Sequence, residues 1–187
     1  MTVVLLISGS TRDGSTNTAA LRTVQALSPD GVDAALYGGL TELPAFIPGD
    51  DGAERPAVLA LREQLSHADA VLFCTPEYAG TLPGSLKNLL DWTVGTGELN
   101  EKPAAWISVA APGRGEGATA TLQSVLGYVG ADVDPAICER LPVHRDHVGV
   151  DGLVSEPEFR TGAIEALNLL VRHATRNRVA PADPTGA

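Results

Sequence analysis

The chain has 187 residues, 44% of which are hydrophobic, and it carries a formal net charge of -10 at pH 7. That length and apolar content suffice for one globular domain with a real core, which we place at residues 1–178. The acidic balance argues against nucleic acid or an anionic membrane as a partner, because both are bound by clustered positive charge, and no apolar stretch approaches the length of a membrane span.

The first predicted strand, Val3 to Ile7, begins without a charged leader or a cleavable apolar stretch, so we expect a cytoplasmic protein. A loop rich in glycines and hydroxyls follows, and a helix is predicted over Thr16 to Leu27. The helix amino terminus offers unpaired amides, and Arg12 adds a full charge, so a phosphate would be well held. The loop lacks the Gly-x-Gly-x-x-Gly and P-loop patterns, which argues against a dinucleotide or triphosphate site.

The second predicted strand, Val32 to Tyr37, leads into a long segment rich in glycine, proline and aspartate, Gly38 to Arg55. Two interpretations stay open for this segment. It lines a pocket at the same sheet edge as the first loop, or it is a solvated connection to the helix predicted over Ala57 to His67.

The third predicted strand, Ala70 to Thr75, is uninterrupted by charge, as expected of a strand buried on both faces of a parallel sheet. The loop after it leads into a helix predicted over Pro83 to Val94, with the proline in its first turn. This loop sets the ring of Tyr78 beside small residues at the carboxyl end of a strand, where open α/β sheets bind ligands. A flat cofactor with polar edges could stack there.

Strands and helices continue to alternate in the rest of the chain, which is typical of parallel strands with right-handed crossovers. The remaining predicted elements are strands over Ala105 to Val109 and Val133 to Cys138, and helices over Ala118 to Tyr128 and Glu156 to Arg176. The tail from Val179 to Ala187 has two prolines and little to bury, and we predict that it is disordered.

Histidines and cysteines give no sign of a metal centre. His144 and His147 flank Asp146, but no glutamate or cysteine completes a ligand set nearby, so we interpret them as surface residues. Cys74 and Cys138 lie in separate apolar segments and are expected to be buried reduced thiols. We therefore assign no metal ligand.

Two motifs together resemble the NADPH-dependent FMN reductase family. The first is Gly9-Ser10-Thr11-Arg12 with Ser15-Thr16-Asn17, and the second is Pro76-Glu77-Tyr78 with Pro83-Gly84-Ser85-Leu86-Lys87-Asn88-Leu89-Leu90-Asp91-Trp92. The resemblance implies a flavodoxin-like three-layer α/β sandwich. Its five-stranded parallel sheet has the order 2-1-3-4-5, with helices on both faces.

The same resemblance implies the residues of an FMN site. The implied phosphate ligands are Ser10, Arg12, Ser15, Thr16 and Asn17. The implied ring contacts are Pro76, Glu77, Tyr78 and Ala79, with Ala111 and Gly113 from a glycine-rich loop beside the flavin. The family commonly has asparagine at the position of Ala79, so one side-chain contact is expected to be missing while the backbone amide remains.

By this resemblance the protein is an FMN-dependent oxidoreductase that uses NADPH (or NADH) as hydride donor and a small-molecule electron acceptor: a quinone, flavin, azo compound or metal oxyanion. No catalytic side chain is required, since the chemistry belongs to the flavin, and Glu77 is assigned to orientation. The resemblance also implies a homodimer or homotetramer. Two alternatives stay open, a flavodoxin-type electron carrier and a flavin-based redox sensor without NAD(P)H turnover.

Overall fold

A computed structural model describes residues 1–179 of the chain. The strands are β1 (Thr2–Ser8), β2 (Val32–Leu36), β3 (Ala70–Cys74), β4 (Pro103–Ser108), β5 (Asp132–Val133) and β6 (Glu139–Arg140). The helices are α1 (Thr16–Ala26), α2 (Pro56–His67), α3 (Gly84–Asp91), α4 (Glu116–Tyr128) and α5 (Pro157–Val179). Apart from Val179, which ends α5, the tail predicted to be disordered lies outside the described residues.

The strands form one parallel sheet with the order β2-β1-β3-β4-β5, and this confirms the predicted order. Side chains alternate between its two faces along β1 and β3. Leu6 and Leu72 join a core with α1 and α5, whereas Ile7 and Phe73 join a second core with α2, α3 and α4. The predicted three-layer arrangement follows from this division of each strand between two apolar cores.

Two short strands occupy the place in the sheet where a single fifth strand was predicted. β5 pairs with β4 at Ala104 and Val133, a turn of 3-10 helix follows at Pro135–Ile137, and β6 pairs with the same strand further along. Pro135 has no amide hydrogen to give to the sheet, and the Asp134 side chain accepts from the amide of Ala136 at 2.9 Å. The continuous strand expected over Val133 to Cys138 is therefore interrupted.

The helix after β3 is shorter than predicted, because Pro83 is its N-cap and it ends at Asp91. The chain then tightens into turns, in which the Thr93 hydroxyl donates to the Leu90 carbonyl at 2.8 Å. This places Trp92 fully inside the core.

The long segment after β2 is attached to α3. The Asn88 side chain accepts from the amide of Phe46 at 2.8 Å and donates to the carbonyl of Pro44 at 2.9 Å. The Trp92 indole donates to the same carbonyl, and the Phe46 ring packs edge-on against it. This part of the segment is an ordered connection, whereas its start, at Gly38 to Thr41, lines a cavity. The start of the segment therefore agrees with the pocket-lining interpretation, whereas the part around Pro44 and Phe46 packs against the core and is not a solvated connection.

Among residues 1–179, no helix combines the length and the apolar character that crossing a bilayer demands.

Candidate functional site

Three loops meet at the carboxyl edge of the sheet: the first loop (residues 9–15, after β1), the second (75–83, after β3) and the third (109–115, after β4). Ser8 and Cys74 are register partners, so the first two loops leave the sheet side by side. The amide of Gly9 donates to the Cys74 carbonyl at 2.9 Å. A Cβ atom on Gly9 would lie 2.2 Å from the Thr75 hydroxyl oxygen, so only glycine permits this approach. The structure thus brings the two sequence motifs into contact.

The first loop ends at the amino terminus of α1, and the last residue of the loop caps the helix. Ser15 is the N-cap, and its hydroxyl oxygen accepts from the amide of Asn17 at 3.2 Å. Both side chains are buried, and the first turn of the helix carries no acidic residue. Arg12 is exposed and makes no ion pair with the described residues. The end of the helix is therefore electropositive and open to an anion.

Cys74 lies directly beneath this helix terminus. Its thiol is fully buried, and it donates to the Asn17 side-chain oxygen at 3.4 Å. Burial raises the pKa of the Cys74 thiol well above its usual range, so the group stays protonated at neutral pH. This contact joins the end of β3 to the first turn of α1.

The second loop contains a two-residue hairpin turn. Tyr78 and Thr81 exchange both backbone hydrogen bonds at 3.0 Å, and Ala79 and Gly80 between them have φ angles of 50° and 76°. Positive φ at both central positions defines a type I′ turn, which favours Asn-Gly. Ala79 therefore occupies a position where asparagine would relieve backbone strain, which gives a conformational reason for the asparagine expected there and none for the alanine.

We expect Ala79→Asn to raise the free energy of unfolding by about 1 kcal/mol, because asparagine adopts the left-handed conformation more readily than alanine. Urea denaturation of the two proteins measures the difference. Ala79→Gly should stabilise to a similar degree and Ala79→Val should destabilise, since a β-branched residue resists positive φ. Equal midpoints for all four proteins would contradict the assignment of strain.

Glu77 connects the second loop to α4. Its Oε2 atom accepts from the amides of Gly117 at 2.8 Å and Ala118 at 3.2 Å, which are unpaired groups of the first helical turn. A Cβ atom on Gly117 would lie only 2.0 Å from the Gly80 carbonyl oxygen, so the helix packs directly on the turn. Glu77 thus fixes the second loop against α4, and its orienting role toward a cofactor stays a prediction.

The third loop is held from below by Arg140, a residue that the sequence analysis did not identify. Its Nη1 atom donates to the carbonyl oxygens of Arg114 at 2.8 Å, Ala111 at 3.2 Å and Ala110 at 3.5 Å, and Nη2 lies 3.7 Å from Glu116. The only available signal was an arginine between Glu139 and Leu141, just after the predicted fifth strand. Its partners are backbone carbonyls, which every residue has, so the sequence does not reveal them.

We expect Arg140→Ala to weaken FMN binding roughly tenfold, because three loop carbonyls lose their common donor. Titration of the protein with FMN, followed by flavin fluorescence, gives the dissociation constant. Arg140→Lys should show an intermediate loss, since an ammonium lacks the planar fork. Arg145→Ala is the matched control, because Arg145 is exposed and its side chain has no partner among the described residues. An unchanged affinity in Arg140→Ala would show that the loop holds its shape without it.

The second and third loops and the start of α1 line a cavity of about 370 Å³. It is lined by Thr16 and Asn17 of α1, by Thr75, Pro76 and Glu77, and by Val109, Ala110, Arg114 and Gly115. Four of the predicted site residues are among these, and three others, Ser10, Arg12 and Ser15, line an adjacent cavity. Tyr78, Ala79, Ala111 and Gly113 lie outside both cavities on exposed parts of the loops. Their contact with a flavin stays a prediction.

Neither histidine of the pair lines the two cavities. The rings of His144 and His147 are in edge contact with centroids 5.5 Å apart, and Nδ1 of His147 lies 3.0 Å from a Glu156 oxygen. The described part of the chain holds no group of three potential metal ligands.

Comparison with known proteins gives consistent matches. The profile of the NADPH-dependent FMN reductase family matches residues 1–137. An NAD(P)H-dependent FMN reductase of Pseudomonas aeruginosa is 41% identical over 113 residues, which cover 58% of this chain but only 60% of that relative. A quinone reductase of Escherichia coli is 30% identical over 168 residues, covering 87% of this chain and 78% of the relative.

A solved structure gives a similar match. FerB, a flavoenzyme NAD(P)H:(acceptor) oxidoreductase from Paracoccus denitrificans, superposes with a TM-score of 0.80 at 27% identity. The match covers 94% of this chain and 98% of that one.

Proposed function

The chain belongs to the NADPH-dependent FMN reductase family, and from this membership we propose that it is an FMN-dependent oxidoreductase that oxidises NAD(P)H and reduces a small-molecule acceptor. The contact between the first and second loops at Gly9 is the observation that carries the proposal. It sets an electropositive helix terminus beside a cleft at the point where the strand order reverses, which is where open α/β sheets bind their ligands.

The residues of the site fit FMN as cofactor. The flavin phosphate requires donors and positive charge, and the first loop offers the open amides of α1, hydroxyls and the free guanidinium of Arg12. We propose Ser10, Arg12, Ser15, Thr16 and Asn17 as its ligands. The 370 Å³ cavity, with Pro76 and Glu77 on one wall and Arg114 on another, supports a ring site there. We place Pro76, Glu77, Tyr78, Ala79, Ala111 and Gly113 along the ring.

The chemistry that FMN supplies when bound is reversible two-electron hydride acceptance. The chain itself binds and orients. Glu77 fixes the second loop to α4, Arg140 fixes the third loop, and Gly9 keeps the first two loops in contact. No side chain of this site is assigned a role in proton transfer, because the Glu77 carboxylate already accepts hydrogen bonds from two helix amides.

The test is spectroscopic. Purified full-length protein, loaded with FMN, is mixed with NADPH or NADH in the absence of oxygen in a stopped-flow instrument. We expect the absorbance of the yellow oxidised flavin to disappear on the timescale of one turnover. A colourless protein that ignores added FMN would overturn the proposal. FMN that binds but stays yellow with both donors would instead indicate an electron carrier or a redox sensor.

The acceptor class rests on relatives, which include a quinone reductase of Escherichia coli and an NADPH azoreductase of a Bacillus species. We propose a quinone, free flavin, azo compound or metal oxyanion. We also propose a homodimer or homotetramer, which rests on the family membership and which light scattering would test. A cytoplasmic location is supported by the free thiols of Cys74 and Cys138.

A further inference from the structure

A second cavity, of about 410 Å³, lies on the other side of the first loop from the proposed ring site. It is enclosed by the first loop, one face of α1, the segment after β2 and the chain around Val148 and Gly152. The two cavities share no lining residue. They are separate because β2 and β3 flank β1 on opposite sides, so each neighbour forms its own cleft with the loop after β1.

Two arginines without ionic partners, Arg12 and Arg22, line this second cavity. Arg12 is already proposed for the flavin phosphate, as are Ser10 and Ser15 of the same lining, so Arg22 is the cation left for a second ligand. Among the described residues, Arg12 and Arg22 form no ion pair and no side-chain hydrogen bond, whereas Arg55, Arg62 and Arg140 each face a carboxylate. Uncompensated cations in a cavity are unexpected in a chain with a net charge of -10. Asp13 is the single acidic residue of the lining. The cavity is therefore suited to an anion.

Arg22 belongs to a face of α1 that is directed at the cavity. Ser15, Thr18, Ala19 and Arg22 follow helical spacing and all line it. Arg22 is seven residues beyond the N-cap, which is about 10 Å along the helix axis. It is thus too far along α1 to be part of the terminus that receives the flavin phosphate.

The outer wall is a hairpin fixed against α1. Val148 and Val154 form an antiparallel bridge, and the amide of Val154 donates to the buried Thr23 hydroxyl at 2.8 Å. A Cβ atom on Gly152 would lie 3.5 Å from Nη1 of Arg22, so the guanidinium is in contact with this wall. The hairpin thus forms one wall of the cavity beside the exposed Arg22 side chain.

The lining also indicates the ligand class. Hydroxyls of Thr11 and Thr41 complement the guanidinium groups, as in sites for phosphate monoesters. Leu36, Leu40 and Val148 add apolar surface, and the volume is that of a small-ligand pocket rather than one for a whole dinucleotide. A phosphate monoester on a nucleoside combines these properties.

We propose that this cavity binds the 2′-phosphate half of NADPH through Arg22, and that it discriminates NADPH from NADH. The assignment rests on the proposed function, since that supplies the donor. A separate phosphorylated nucleoside has the same chemistry, and the experiment distinguishes the two sources.

The experiment uses the FMN-loaded full chain and isothermal titration with adenosine 2′,5′-bisphosphate, with adenosine 5′-monophosphate as the probe that lacks the 2′-phosphate. We expect the bisphosphate to bind more tightly, and Arg22→Ala to weaken it roughly tenfold while the flavin content stays unchanged. Arg172→Ala is the matched control, because Arg172 is an exposed arginine of α5 without an ion pair among the described residues. Steady-state kinetics should show a rise in KM for NADPH alone, with kcat and the KM for NADH preserved.

Three outcomes would overturn the proposal. If Arg22→Ala binds the bisphosphate as tightly as the native chain does, Arg22 is not part of a phosphate site. Loss of FMN from Arg22→Ala would make the cavity part of the flavin site. Arg22-dependent binding with an unchanged KM for NADPH would assign the cavity to a separate phosphorylated nucleoside and reject the donor. Failure of the proposed function is distinguishable, because bleaching by NADPH would then be absent while the titration still reports on the cavity.

Discussion

Gly117→Ala is expected to lower the free energy of unfolding by about 3 kcal/mol and to weaken FMN binding more than roughly tenfold. The added Cβ atom would lie 2.0 Å from the carbonyl oxygen and 2.8 Å from the carbonyl carbon of Gly80. Both are backbone atoms of a tight turn, so no side chain can move aside. The turn and the start of α4 must separate, which also breaks the bonds from the helix amides to Glu77.

Gly127→Ala is the matched control for this substitution. Gly127 lies on the same helix, and nothing lies within 4 Å of a Cβ atom added there. Alanine in a helix loses less conformational entropy than glycine, so this variant should be more stable by about 0.5 kcal/mol. Urea denaturation and FMN titration of both variants give the comparison. Similar midpoints and affinities for the two would contradict the direct packing of α4 on the second loop.

Gly9→Ala is expected to have an effect of similar size, about 3 kcal/mol in stability together with loss of measurable FMN binding. Its Cβ atom would lie 2.2 Å from Oγ1 and 2.7 Å from Cβ of Thr75. The first and second loops would be forced apart, and with them the proposed phosphate and ring sites. Thermal unfolding and flavin fluorescence measure the two losses.

A double substitution separates this clash from a general effect of alanine. Thr75→Gly removes both clashing atoms, so adding Gly9→Ala to it should cost far less than adding Gly9→Ala to the native chain. Gly84→Ala, where a Cβ atom meets nothing within 4 Å, should leave FMN binding intact. Equal costs of Gly9→Ala with and without Thr75 would contradict the proposed contact.

The sequence predicted the central elements because their signals are local. β1 and β3 are unbroken apolar runs, and the loops after them carry both motifs, so the family was identified correctly and the match over residues 1–137 confirms it. The strand order came from that resemblance, since no local pattern states which strands are neighbours. Pro135 indicates an interruption of the fifth strand, but the apolar residues around it favoured a continuous strand.

What the sequence left out are contacts between distant residues. Arg140 is 26 positions from Arg114, to whose carbonyl it donates, and the partner of Glu77 is a pair of amides about forty residues away. The left-handed conformation of Ala79 was also hidden, because alanine gives no indication of positive φ. Likewise, the division of the predicted residues between two cavities depends on the loop after β2, whose course no motif describes.

The interruption between β5 and β6 bears on how copies of this protein behave in concentrated solution. A sheet margin with a long row of free amides and carbonyls invites another polypeptide to add as a further strand and start an aggregate. Here the margin beyond β4 is cut by the turn at Pro135–Ile137 into two pieces of two residues each. An incoming strand finds no continuous template on that side, so the same proline that breaks the regular pattern also protects this edge from strand addition by another copy.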